Sequence, residues 1–233
     1  MLYFHMVMSK LKKYYGAKGG YLKEHQKYFS QKQLKQDVGF LVAALHLKLR
    51  DKILDLACGH GRHAIELNRR GFDVDGLDSS KYLLDLAKTQ AKQAGVVFHC
   101  FKQDINQINL KTKYDKIFLF FSEFGLFNPD KVLRGVVKSL KLGGLFLLDC
   151  DNVFRLLRYL EKHPRSSYVF DFVTMELGKK GGSSSRGSRY YTLPQLKELF
   201  QKHRLRVVSV YGGYDRKSLN SNSKRLVVVG KKV

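Results

Sequence analysis

Between residues 52 and 151 short apolar runs alternate with amphipathic segments, and this alternation limits the fold more than any other feature. KILDLA (52–57) ends at a glycine loop, and RHAIELNRRG (62–71) follows as a short helix with cations near its stop. FDVDGLD (72–78) alternates like a strand. SSKYLLDLAKTQAKQAG (79–95) opens on a serine cap, keeps Leu83, Leu84, Ala87 and Ala91 at helical spacing and closes at Gly95. VVFHCFKQD (96–104), DKIFLFF (115–121) and LFLLDCD (145–151) read as further strands, with DKVLRGVVKSLKLGG (130–144) as the helix before the last. Strands alternating with helices at this spacing predict an α/β fold, a doubly wound, mostly parallel sheet covered on both faces.

The last third changes pattern. TLPQLKELFQKH (192–203) has the Thr-x-x-Gln start of a capped helix, and RVVSVYGG and KRLVVVGKK pair across the polar loop 214–223. The expected sheet is therefore seven-stranded with a final antiparallel strand. Residues 1–50 are expected to form an N-terminal helical cap region and 51–233 the main domain, with an insert at about 152–191. Its one low-complexity stretch, GKKGGSSSRGS (178–188), reads as a mobile loop.

Net charge is +23, distributed as +8 over residues 1–50 (ten Lys/Arg, two Asp/Glu), +3 over 51–150 (fifteen, twelve) and +12 over 151–233 (eighteen, six). Basic flanks suit an anionic partner, although scattered lysines equally suit solvated faces. Three widely spaced cysteines without a CxxC pair oppose a disulfide framework and a metal site, and point to a reducing, cytoplasmic compartment. No apolar run reaches the roughly 18 residues of a membrane span, and MLYFHMVM lacks the marks of a signal peptide.

The loop after the first strand is where an open parallel sheet binds its ligand. Two cofactors compete for it. Gly59-His60-Gly61-x-x-Ala64, with Asp78 nineteen residues beyond Gly59, satisfies a dinucleotide fingerprint. Asp55 opposes that reading, because a carboxylate beside the loop repels a pyrophosphate. It favours S-adenosylmethionine (SAM), which carries an ammonium and a sulfonium.

Five motifs in order strengthen the second reading: D-x-A-x-G-x-G (55–61), LDSS (77–80), QDI (103–105), FFSEFGLF (120–127) and LKLGGLFLLD (140–149). Together they resemble the class I SAM-dependent methyltransferases, strongly over about 35–150, and among these the small-molecule, quinone-biosynthesis-like subgroup. Ala57 stands where glycine is more usual. The resemblance implies that Asp55 and the backbone of Ala57, Cys58, Gly59 and Gly61 hold the methionine portion. It gives Asp78, with Ser79, the ribose, and Asp104 and Ile105 the adenine. Phe121 and Ser122 would lie near the ammonium, and Arg62 near the carboxylate. Asp78 and Asp104 also fit as simple turn or helix caps.

Methyl transfer needs alignment more than a dedicated acid or base, so no catalytic residue is assigned. Tyr28, Glu123, Arg189 and Tyr191 are the acceptor-side candidates. The N-terminal 30 residues and the insert would close over the methyl group as a basic lid, which suits an anionic small molecule. A nucleic-acid acceptor is less favoured, because SEFGLFNPD replaces the Asn-Pro-Pro-aromatic motif of amino-group DNA methylases. A non-catalytic SAM- or dinucleotide-binding protein is the third alternative. The oligomeric state is not fixed by the sequence.

Overall fold

The computed structural model describes residues 13–26, 29–121, 124–180 and 188–233. Helices α1 (Tyr21–His25) and α2 (Gln31–Ala44) precede the alternating core. The core runs β1 (Lys52–Leu56), α3 (Arg62–Arg69), β2 (Asp73–Asp78), α4 (Lys81–Gln93), β3 (Cys100–Lys102), β4 (Tyr114–Leu119), α5 (Pro129–Ser139) and β5 (Leu140–Asp151). The insert contributes α6 (Val153–Lys162), β6 (Tyr168–Asp171), β7 (Glu176–Lys179) and β8 (Ser188–Arg189), and the chain ends with α7 (Leu193–Lys202), β9 (Leu205–Tyr211) and β10 (Arg225–Lys232).

The main sheet has seven strands in the order β3-β2-β1-β4-β5-β10-β9. The first five pair in parallel, and β10 runs antiparallel to both β5 and β9. Alternation along each strand divides the core. Leu54, Ile117, Leu119, Leu226 and Val228 face α5 and α7; Ile53, Phe118, Val227 and Val229 face α2 and α3. Both faces are therefore dry, which is why these runs read as almost continuously apolar.

The caps form as the sequence implies. The Ser80 hydroxyl accepts from the Leu83 N–H at 3.2 Å, and Thr192 and Gln195 make a reciprocal capping box. Three boundaries differ. Helix α3 stops at Arg69 rather than Gly71. Helix α5 ends at Ser139, because Leu140 is already extended and pairs with Tyr114; the double glycine lies inside β5 rather than at a helix stop. Strand β3 is only three residues long, being an edge strand paired with β2 alone.

The insert is more regular than its sequence suggests. Strands β6, β7 and β8 form a small antiparallel sheet, and it docks where Gly125, in the short 3₁₀ turn Phe124–Leu126, meets β8. A Cβ on Gly125 would lie 1.8 Å from the Arg189 carbonyl oxygen, so the backbones touch there and only glycine fits. Gly125→Ala should separate the small sheet from the main one. The expected result is a lower unfolding midpoint in calorimetry and faster proteolysis within 168–189, with cost on the order of 1–3 kcal/mol. A midpoint equal to wild type would show that the docking carries no stability.

Candidate functional site

Strand β1 lies between β2 and β4 in the sheet, so chain direction across the sheet reverses beside it. This is the switch point where such sheets open a crevice at the carboxyl ends of their strands. The loop 57–61 occupies it. Ala57 (φ 53°), Gly59 (φ 55°) and Gly61 (φ 76°) all adopt left-handed backbone, which for Ala57 is strained. The Cys58 N–H donates to the Leu77 carbonyl at 3.0 Å, tying the loop to β2. Cys58 is buried, and burial pushes its thiol well up, leaving it a packing residue rather than a nucleophile.

Asp55 is 2 % exposed, and among the described residues its Oδ2 finds no hydrogen-bond partner. Burial raises its pKa well above the carboxylate range, and the neighbouring Asp78 charge adds to the rise; Arg62 and the Ala64 N–H oppose it. A carboxyl whose pKa is raised by burial refuses a pyrophosphate less firmly than the sequence argument supposes. An orphaned buried oxygen awaiting a cation is nevertheless what a ligand bearing an ammonium and a sulfonium would complete, so the residues present fit SAM.

Asp78 ends β2. Its Oδ2 accepts from the Gly59 N–H at 2.9 Å and its Oδ1 from the Ser80 N–H at 2.8 Å. It braces the glycine loop, and each oxygen retains a lone pair for a hydroxyl. Ser79 adjoins it, and the Ser80 hydroxyl donates to the Tyr15 carbonyl at 2.8 Å. Asp104 caps the 3₁₀ turn Ile105–Gln107: its Oδ1 accepts from the N–H and the side-chain amide of Asn106. The Ile105 side chain is buried in the core.

Phe121, just past β4, is a second strained point, with φ 57°. Its N–H donates to Asp149 Oδ2 at 2.8 Å. The same buried carboxylate accepts from Arg225 Nε and a second guanidinium nitrogen, at 2.8 and 2.9 Å, and from the Tyr214 hydroxyl at 2.8 Å. Burial opposes the Arg225 charge, but Asp149, Tyr214 and Asp151 together hold its pKa well above the ordinary value. The guanidinium carbons of Arg225 and Arg62 stand 5.7 and 5.3 Å from the Phe121 ring centroid.

Arg62 itself donates to Asp37 at 2.9 Å. Asp37, fully buried on α2, also receives Gln33 at 2.8 Å and His63 at 3.2 Å. Burial works against its charge, but His63, Gln33 and Arg62 bring its pKa below the usual value. His63 is pushed down to about 4, chiefly by burial, so its contact with Asp37 is a hydrogen bond from a neutral ring rather than an ion pair. His60, packed edge-on against Phe29 at 4.8 Å, is likewise lowered to about 4 by burial.

The structure brings the N-terminal segment and the insert to one place. A cavity of about 520 Å³ opens beside the end of β5, and its wall includes Tyr14, Glu24 and His25 from the N-terminal side and Tyr168, Arg189 and Tyr191 from the insert. Tyr191 packs on Phe124 at 5.3 Å, and the Arg189 guanidinium carbon lies 5.4 Å from its ring centroid. Tyr14 packs edge-on against both Tyr15 and Tyr21, which tilt against each other, and the Tyr21 hydroxyl lies 3.8 Å from the Cβ position of Gly59. Tyr28, Ser122 and Glu123 lie outside the described residues, as do 181–187 of the low-complexity loop. The sequence reading missed Asp37, Arg225, Glu24 and His25. Asp37 carried the one available signal: a lone acid opening the apolar run VGFLVAAL.

Residues 53–144 match the family model described as a methyltransferase domain. Over that stretch the chain resembles a methyltransferase domain, and its sheet has the fold of the class I SAM-dependent methyltransferases. Over 134 residues it is 31 % identical to the tRNA 5-carboxymethoxyuridine methyltransferase of Escherichia coli, a match covering 55 % of this chain and 49 % of that protein. Over 101 residues it is 26 % identical to the ubiquinone biosynthesis O-methyltransferase of Rickettsia akari, covering 43 % and 40 %. The chain spans about half the length, or less, of these curated relatives. A SAM-dependent methyltransferase structure from Clostridium acetobutylicum superposes with a TM-score of 0.72 at 19 % identity, covering 91 % of this chain and 98 % of that one. Among the described residues no helix is long and apolar enough to cross a membrane, and no cluster of His, Cys, Asp or Glu could hold a metal ion.

Because burial raises the folded pKa of Asp55, the cost of burying this carboxyl is absent at acidic pH, below its unfolded value, and grows as pH rises from there toward the folded value. Asp55→Asn should therefore raise the unfolding midpoint at pH 8 by a few degrees, roughly 2–4 °C per kcal/mol for a chain of this size. Affinity for S-adenosylhomocysteine should fall at least about 10-fold for each unit of lost charge coupling. Calorimetry on both proteins reads the two effects, and a variant that is less stable at pH 8 than wild type contradicts the assignment.

Proposed function

We propose that the chain transfers a methyl group from SAM to a small-molecule acceptor held in the 520 Å³ cavity. The observation that carries this reading is the cavity's position. It adjoins the end of β5 and the Phe124–Leu126 turn, at the edge of the sheet where β1, β2 and β4 also end, and its Tyr14 packs on Tyr21, which reaches toward Gly59 of the glycine loop. Asp55 and the loop backbone would hold the methionine portion, Asp78 and Ser79 the ribose, and Asp104 and Ile105 the adenine. Phe121 would present backbone to the ammonium. SAM supplies the electrophilic carbon, and the protein's part is to align an acceptor lone pair with that carbon and to exclude water.

The wall carries both signs, Lys179 and Arg189 against Glu24 and Asp151. The basic side chains favour an acceptor bearing an anionic group. His25 lines the cavity and is a candidate base; its Nδ1 lies 3.0 Å from the Tyr21 carbonyl, which can only accept, so Nδ1 donates there. An acceptor hydroxyl that must lose its proton during attack would need such a base. A second reading, an RNA acceptor, draws support from the E. coli relative, whose name assigns it a tRNA substrate, and from the charge of +23.

The direct test is methyl transfer from labelled SAM to a panel of small hydroxylated and carboxylated metabolites, run beside total tRNA, with calorimetric titration of S-adenosylhomocysteine and NAD. Label in a metabolite and preferential binding of S-adenosylhomocysteine are expected; label in tRNA alone would move the assignment to the second reading, and tighter NAD binding would end both. His25→Gln should lower kcat by about 10²–10⁴-fold with a small effect on KM if the acceptor must lose a proton. Unchanged kcat across pH would remove His25 from the chemistry.

A further inference from the structure

The apolar side chains of the insert are left outside. Helix α6 spaces Phe154, Leu157 and Leu160 along one flank, yet Val153 is its only buried residue. The β6–β7 hairpin continues the same surface. Its turn is ordered, since Asp171 Oδ1 accepts from the N–H groups of Val173 and Thr174 at 2.8 and 3.1 Å. That ordered turn holds Phe172 and Val173 in solvent, 71 % and 93 % exposed. Between helix and hairpin runs an open groove of about 570 Å³, lined by Leu157, Tyr168, Val169 and Phe170 among others. Of the eleven strongly exposed large hydrophobic side chains among the described residues, six lie between 154 and 173. The others lie singly elsewhere: Leu49 before β1, Val97 before β3, Leu142 at the start of β5, Val208 in β9 and Val233 after β10. A contiguous apolar surface of this kind marks a contact site.

We propose that α6 and the β6–β7 hairpin dock the protein on an anionic lipid surface, with the Phe172–Val173 turn entering the interface. Charge identifies the occupant. Arg155, Lys162, Arg165, Lys179 and Lys180 are exposed around the apolar residues and outnumber the exposed acids Glu161, Asp171 and Glu176, and residues 151–233 carry eighteen basic against six acidic side chains. Two copies of so basic a surface repel each other, whereas apolar and aromatic side chains rimmed by Lys and Arg suit the headgroup boundary of an anionic bilayer. The aliphatic share, Leu157, Val169 and Val173, favours lipid over stacked bases. Tyr168 lines both this groove and the acceptor cavity, so the docked face and the cavity share a wall. The inference stands apart from the choice of methyl acceptor.

The test is co-sedimentation of the full chain with vesicles of phosphatidylcholine, alone or mixed with phosphatidylglycerol. Binding to the mixed vesicles is expected. The double variant Phe172→Ser/Val173→Ser, which leaves net charge unchanged, should bind them at least about 10-fold more weakly. Val97→Ser/Leu142→Ser should bind as wild type does. Unchanged thermal unfolding of both variants confirms that the fold is kept. The proposal is overturned if wild type ignores mixed vesicles, or if the 172/173 variant binds them equally well, since charge alone would then suffice. Loss of a tRNA gel shift in that variant, with no vesicle binding by wild type, would give the surface to RNA instead.

Discussion

The carboxylate of Asp149 organises the floor of the crevice. It sits at the end of β5 with no exposure and receives four donors, from Arg225, Tyr214 and the Phe121 backbone. A buried charge so fully satisfied fixes its neighbours, and removing one member of such a pair costs roughly 3–5 kcal/mol, because the other charge is left uncompensated. The strained backbone of Phe121 is held by this network on one side and by the Asp37–Arg62 pair through its ring on the other. Elements from α2 to β10 thus converge on one peptide at the end of β4, and the inner strands keep their ends aligned around it.

Strain and burial recur where the ligand would lie. Ala57 and Phe121 take left-handed backbone that side chains resist, and Asp55 is buried with an oxygen that has no partner among the described residues. Such costs persist only where the surrounding structure over-determines them, and they cluster at sites of function. Placing the donor's positive charge beside Asp55 would recover part of what its burial costs. Binding would then be coupled to the ionisation of a group that the unliganded protein holds towards neutrality.

The sheet was legible because its signal is local: almost continuous apolar runs in β1, β4 and β10, serine and threonine caps, and a glycine loop whose positive φ angles only certain residues accept. The positions of Asp55, Asp78, Asp104 and Phe121 at or just past strand ends were legible for the same reason. The 520 Å³ cavity was legible only in part: Arg189 and Tyr191 stood out in a Tyr- and Arg-rich stretch of the insert, whereas Glu24 and His25 did not, being more than 160 residues away with no periodicity to link them. Arg225 was hidden for a related reason: seventy-six residues separate it from Asp149, and a lone arginine before LVVVG looks like any other edge cation. The small sheet escaped notice because its strands are two to four residues long, too short to show alternation.

The junction between Gly125 and Arg189 has an evolutionary side. The small sheet meets the 3₁₀ turn Phe124–Leu126 through a backbone contact at Gly125 and is tethered by its two chain connections, while the 57–61 loop, Asp78 and Phe121 belong to other elements. Selection can therefore rewrite the outer sheet, residue by residue or wholesale, without disturbing the crevice at the strand ends.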